Sequence, residues 1–338
     1  MFATLRLTAL AALLSCGLTL QAQADEAETG QFAEQQLRHI ASWFPGRMSG
    51  SPAEMMAADY LRQQFSALGF QNNTRQFNTG APWRDAHGEQ RWHKVTATSV
   101  IAARAGTQPQ EILILASLDT WTPQNAAQAQ HDQGGLRLQG ADDNASGLGV
   151  MLELARHLST MPLHYGVRFV ALSASETSQR GMEDYLARMS EKEKKNTLLV
   201  INLHSLIVGD RLCFNSGVHM PGSVRQQTSQ RALALARRFG IPAASYRLTE
   251  KDHHPINPFD KAGFPLLDVT AGNGPLSGAG GIQRARTTHF PEGTVRHQTN
   301  RDNLNYLDRW LPGRITQRMH DSVKILLPLL TELTNPQK

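Results

Sequence analysis

Cysteine is almost missing from this chain, with only Cys16 and Cys213 among 338 residues. Once the N-terminal leader that contains Cys16 is set aside, a single thiol remains, which excludes an internal disulfide framework. Cys213 stands between Leu212 and Phe214, the setting of a buried apolar thiol and not of a nucleophile. Beyond the leader no apolar run is long enough to span a bilayer. There is no internal repeat, no interdomain linker and no run of like charge. The net charge of +5 comes from scattered Lys and Arg, a solvated surface that argues against nucleic acid as a partner. What is present is the composition of a globular protein, 40% hydrophobic and 19% charged, enough to fill a sizeable core.

The leader has the organisation of a secretory signal. Residues 1–6 are basic, 7–20 are apolar, and Ala22-Gln23-Ala24 fits a small-x-small cleavage site, which predicts an exported, periplasmic or secreted protein starting at Asp25. Leu13-Leu14-Ser15-Cys16 faintly resembles a lipoprotein acylation site, but the apolar run continues past it, which favours simple cleavage.

From residue 25 to 338 the pattern predicts one domain of alternating strands and helices. Helices are expected at 34–43, at 52–68 with Ser51 as cap and Gly69 as stop, at 148–158, 181–189 and 224–239, and at 310–333, broken around Pro328. Strands are expected at 70–77 and 95–103, which pair, and at 111–117, 167–173, 198–203, 212–215 and 265–269, while 284–305 is loop-rich. The continuous apolar runs at 111–117, 167–173 and 198–203 mark strands buried on both faces. The fold class is therefore α/β: a doubly wound, mixed but mostly parallel sheet flanked by helices. Ligands of such sheets bind beyond the carboxyl ends of the strands, where Ser117, Asp119, Ser175, Glu176 and His204 fall.

The octet Gly140-Ala-Asp-Asp-Asn-Ala-Ser-Gly147 sits at the mouth of a helix. Carboxylates held between small residues can reach a cation unhindered. The same residues, Asp142, Asp143 and Asn144, are also common helix caps, and the octet alone leaves both readings open.

The order of motifs resembles metallopeptidase family 28, the co-catalytic zinc aminopeptidases. It runs Leu115-Ala-Ser-Leu-Asp119, the octet, a strand leading to Ser173-Ala-Ser-Glu176, Val200-Ile-Asn-Leu203, then His297 with Asp302. Lys194-Lys-Asn-Thr-Leu-Leu-Val-Ile-Asn202, Ile207-Val-Gly-Asp210, Phe214-Asn-Ser-Gly217 and Leu311-Pro-Gly-Arg-Ile315 look like a bacterial branch of that family. The resemblance implies two zinc ions bridged by one carboxylate, matching Asp143 with a cis peptide after it. It implies Glu176 and His297 as further ligands of one ion, and a peptide or protein N-terminus in the cleft.

At the other ion the chain departs from the pattern. Ser117 stands where the family has a His ligand, and His204 stands where it has an acidic one, so His204 is a doubtful ligand and the second ion a doubtful occupant. Asp119 matches the carboxylate that orients the missing His. Ser175 stands where the family has the Glu that takes a proton from the attacking water, a role serine cannot fill near neutral pH. Candidate replacements elsewhere are His131 with Asp132, and Asp252-His253-His254. No Gly-x-Ser-x-Gly turn surrounds Ser175, which speaks against a serine nucleophile. Two readings follow: a family member with lost or reduced activity that acts by binding, as the related transferrin receptor ectodomain does, or an active exopeptidase with a rebuilt centre.

Overall fold

The computed structural model describes residues 28–249, 257–272, 288–291 and 293–336. The leader and the stretch Asp252-His253-His254 lie outside the described residues. The strands are β1 (Gln71–Arg84), β2 (Gln90–Arg104), β3 (Glu111–Ser117), β4 (Gly166–Leu172), β5 (Thr197–Leu203), β6 (Arg211–Ser216), β7 (Ala243–Ala244) and β8 (Leu266–Gly272). They form one eight-stranded sheet in the order β1-β2-β4-β3-β5-β8-β6-β7. The central pairs β4–β3, β3–β5 and β5–β8 are parallel, whereas β1–β2, β2–β4 and β6–β8 are antiparallel.

The longer helices are α1 (Gln31–Trp43), α2 (Pro52–Ala67), α3 (Ser146–Thr160), α4 (Arg180–Ala187), α5 (Arg231–Phe239), α6 (Leu304–Trp310) and α7 (Arg314–Thr334). Side chains from α1, α2, α3, α5 and α7 pack with Ile112, Ile114, Ala116, Phe169 and Leu203 on one face of the sheet. On the other face α4 and the single turn Pro258–Lys261 cover Leu113, Leu115, Val170 and Leu172. This two-sided burial is why the central strands read as unbroken apolar runs, each buried Leu, Ile or Val contributing about 1.5–3 kcal/mol. The helix α3 that follows the octet lies close against α1: a Cβ on Gly149 would come within 2.3 Å of the Ala33 carbonyl oxygen. From the next turn of α3, buried Glu153 accepts the amide N–H of Gly30 and of Ala33, each at 2.8 Å, and so satisfies the otherwise uncapped start of α1.

Several boundaries differ from the sequence expectation. The strands expected at 70–77 and 95–103 extend into a long hairpin, pairing as far as Arg84 with Gln90, where the added β2 residues 90–94 are exposed and give no alternating apolar signal. The short helix Glu191–Asn196 went unread although Ser190 and Glu193 form a complete capping box. The helix expected at 224–239 is present but passes through a π turn at Gln226–Gln230 before Gly240 (φ 68°) stops it. The C-terminal helix is not broken at Pro328. Instead α7 runs through it, because Leu326, Leu329 and Leu330 are buried around that turn and their packing outweighs one missing hydrogen bond. The interruption falls between α6 and α7, where Gly313 takes a left-handed φ of 74°.

Candidate metal centre

The octet divides Asp142, Asp143 and Asn144 among separate tasks. Asn144 caps α3, its Oδ1 accepting the Gly147 N–H at 3.1 Å while its Nδ2 donates to the Leu203 carbonyl at 2.8 Å. Gly147 has to be small, since a Cβ there would meet the Leu203 oxygen at 2.6 Å. Asp142 turns inward, and its Oδ1 accepts the Ile207 N–H at 2.8 Å. Burial pushes its carboxyl up to about 7. Only Asp143 lies with the other candidate ligands. The peptide bond after it is cis, as the resemblance implied. The backbone of the pair is held by Asp302, whose two oxygens accept the N–H of Asp142 at 2.6 Å and of Asp143 at 3.1 Å.

Donor atoms of Asp143, Glu176 and His297 lie within 4.8 Å of one another, the only such metal-capable group among the described residues. Three elements bring them together: the mouth of α3, the loop after β4, and the turn before α6. Two of these loops hold left-handed backbone at non-glycine residues, Ala174 (φ 55°) and His297 (φ 60°). Such conformations persist where surrounding contacts enforce them. His297 is stacked on Trp121, ring centroids 4.1 Å apart, and its Nε2 lies 2.8 Å from Glu176 Oε2.

Asp119 sits beyond the end of β3 and is fully buried. Its Oδ1 accepts the Ser175 N–H at 3.0 Å, and its Oδ2 accepts the Glu176 N–H at 3.2 Å and the Ser49 hydroxyl at 3.0 Å. It thereby fixes the backbone that carries Glu176. Burial, and then the Glu176 and Glu54 charges, raise its own carboxyl well above the usual range.

The remaining candidates are placed differently. Ser175 is buried, and its hydroxyl donates to the Leu172 carbonyl at 3.2 Å. His204 falls outside the three-residue group: its Nε2 lies 3.2 Å from Asp268 Oδ2, while Asp268 Oδ1 accepts from Asn202 at 2.8 Å. Burial alone would lower the His204 imidazole, but the Asp268 carboxylate overrides this and raises it. Ser117 ends β3, next to β5 in parallel register, with Ala116 opposite Leu203. His131 pairs with Asp132 at 3.0 Å, and Asp132 accepts from Thr299 at 2.6 Å, so this pair braces the loop before the octet and supplies no ligand to the group.

Sequence reasoning missed the cation in the site. Arg296, adjacent to His297, places its Nε 3.0 Å from Asp143 Oδ2 and an Nη 3.2 Å from Glu176 Oε1. Burial would raise the Glu176 carboxyl, yet the Arg296 charge and the His297 hydrogen bond bring it down to about 2. The Asp143 carboxyl stays raised, by burial first and the Glu176 charge second. Arg47, also missed, is fully buried and donates to the carbonyls of Leu118 at 3.1 Å, Phe44 at 3.0 Å and Gln139 at 2.9 Å, tying the connection between α1 and α2 to the residue before the octet. The carboxylates that Arg296 meets, Asp143 and Glu176, lie far away in sequence, as do the Leu118 and Gln139 carbonyls that Arg47 reaches.

The donor set of two carboxylates and one imidazole suits a single divalent ion such as zinc. Beyond these three, Ser117 offers only a neutral hydroxyl, and His204 has its Nε2 against Asp268. Comparison with known proteins agrees with the fold and the motif order. The model of Peptidase family M28 matches residues 99–323. The alkaline phosphatase isozyme conversion protein of Escherichia coli (strain K12) is 48% identical over 341 residues, covering 98% of this chain and 99% of that protein. Two solved structures share the fold. BSAP, a zinc aminopeptidase from Bacillus subtilis, aligns at TM-score 0.66 and 16% identity over 92% of this chain and 96% of that one. Acidobacteriales bacterium glutaminyl cyclase aligns at TM-score 0.63 and 17% identity over 91% and 96%. Full-length identity to the Escherichia coli protein and a family match running from β2 into α7 lead to one conclusion: the chain belongs to peptidase family M28.

Proposed function

We propose that this chain is an exported M28 protein in which a single domain, residues 25–338, keeps the peptide cleft and one zinc while peptide hydrolysis is strongly reduced. It acts by binding a peptide or protein N-terminus. Asp143, Glu176 and His297 hold the ion, and bound zinc supplies Lewis-acid polarisation of a peptide carbonyl. Arg296 neutralises part of the carboxylate charge, Trp121 and Glu176 orient the His297 ring, and Asp119 and Asp302 hold the two ligand-bearing loops.

The observation that carries this reading is the absence of a free proton acceptor at position 175. The Ser175 hydroxyl is committed to Leu172, and the nearby buried carboxylates are each engaged: Asp119 by Ser49, Ser175 and Glu176, and Asp302 by Asp142 and Asp143. General-base catalysis is worth about 10²–10⁴-fold in rate, so its loss alone removes most turnover. The zinc-loaded mature protein is to be assayed on a panel of aminoacyl chromogenic substrates. The reading expects no turnover above that of the Asp143→Ala variant, and turnover that this substitution abolishes would refute it.

A second reading rests on the His204–Asp268 pair, an imidazole beside a carboxylate partner. In it the chain is a working exopeptidase with His204 as base. That reading requires His204→Ala to abolish hydrolysis in a folded protein, and an unchanged rate counts against it.

A further inference from the structure

We infer that Arg296 takes the charge-compensating place of a second metal ion, making the centre a mixed one of a single divalent metal and one guanidinium on the same pair of carboxylates. This deepens the reading above, since it explains how the site stands with one ion.

Arg296 faces Asp143 Oδ2 and Glu176 Oε1, at 3.0 Å and 3.2 Å. Asp143 Oδ1 accepts the Ser205 hydroxyl at 3.1 Å, while Glu176 Oε2 lies 2.8 Å from His297 Nε2 and accepts from Arg296 only at 3.5 Å. The guanidinium thus spans the two carboxylates and holds least closely the Glu176 oxygen that faces His297. A planar, permanently charged group with spread donors is suited to bridging two carboxylates in this way.

Burial makes a counter-charge necessary. Side-chain exposure is only 4% for Asp143 and 2% for Glu176, and two buried anions this close are costly without a cation. The left-handed backbone at His297 lets consecutive side chains, Arg296 and His297, converge on Glu176 from one turn. A second divalent ion on the oxygens facing Arg296 would have to displace the guanidinium.

The test uses the full mature protein, stripped with a chelator, and compares wild type with Arg296→Met by zinc titration and by thermal unfolding of the metal-free form. Removing a positive charge next to the bound ion is expected to tighten zinc at least about tenfold and to lower the metal-free Tm. Zinc affinity that is unchanged or weaker overturns the inference. A variant that folds only with zinc supports it. If Arg296→Met folds in neither condition, Arg296→Lys, which keeps the charge, must restore folding with near-wild-type zinc affinity, and failure there also overturns it. Neither readout involves turnover, so an active enzyme would refute the reduced-hydrolysis reading while leaving this inference standing, and the reverse holds too.

Discussion

Replacing Asp302 tests how the backbone of the acidic pair is held. Its two oxygens accept the N–H groups of Asp142 and Asp143 at 2.6 Å and 3.1 Å, and the residue is only 6% exposed. Asp302→Ala leaves two buried donors without partners, at about 1–3 kcal/mol each, a gross cost of roughly 2–6 kcal/mol. An opposing contribution exists. Burial first, and the Asp142 charge second, hold the Asp302 carboxyl well above its usual range, so deleting it also removes a buried carboxyl whose charged form is disfavoured. The net destabilisation expected is about 2–4 kcal/mol. Asp302→Asn keeps one acceptor and turns an amide NH₂ toward the other donor, so about half that loss is expected. Urea unfolding of the metal-free protein reads both values. Zinc affinity should fall in parallel, because the Asp143 backbone sets the position of a ligand. An alanine variant within about 0.5 kcal/mol of wild type would show that these contacts do not hold the octet, and the reasoning fails.

Glu54 provides a pH prediction, because burial raises its carboxyl from 4.5 to about 7 against the hydrogen bonds it receives. A raised folded-state value means its contribution to stability is complete below about pH 4.5 and is lost as pH rises through about 7. The full loss is on the order of 3 kcal/mol, so wild type should weaken by about that much relative to Glu54→Gln between pH 4.5 and 8, and parallel profiles would contradict it. At the catalytic position, Ser175→Glu should raise turnover of the zinc-loaded protein by about 10²-fold or more, and no gain would show that the missing base is not what limits hydrolysis. Trp121→Ala removes the ring stacked on His297 and should weaken zinc about 2- to 10-fold in a titration, whereas unchanged affinity would mean the imidazole is oriented without it.

The parts of the molecule legible in its sequence are those whose physics is local. The runs at 111–117, 167–173 and 198–203 announce strands buried on both faces, and β3, β4 and β5 lie there, apart from one residue at some ends. Asp143, Glu176 and His297 were found through motif order, and the structure brings them together. Arg296 was not legible, because its meaning depends on Glu176, 120 residues earlier, and nothing near residue 296 marks it. Asp302 was visible only as an acidic residue following a histidine, while its partner Asp142 is 160 residues away. Asp119 was matched to a carboxylate that orients a histidine this chain lacks, and the hydrogen bonds it accepts from Ser175 and Glu176 give it other work. The break expected at Pro328 failed for a related reason: backbone preference is local, whereas the packing that overrode it is not.

The most direct test of a one-metal centre is elemental analysis of the mature protein, saturated with zinc and then desalted. The account predicts one zinc per chain, and none in His297→Ala. Two zinc ions per chain, none in wild type, or one retained in His297→Ala would contradict it.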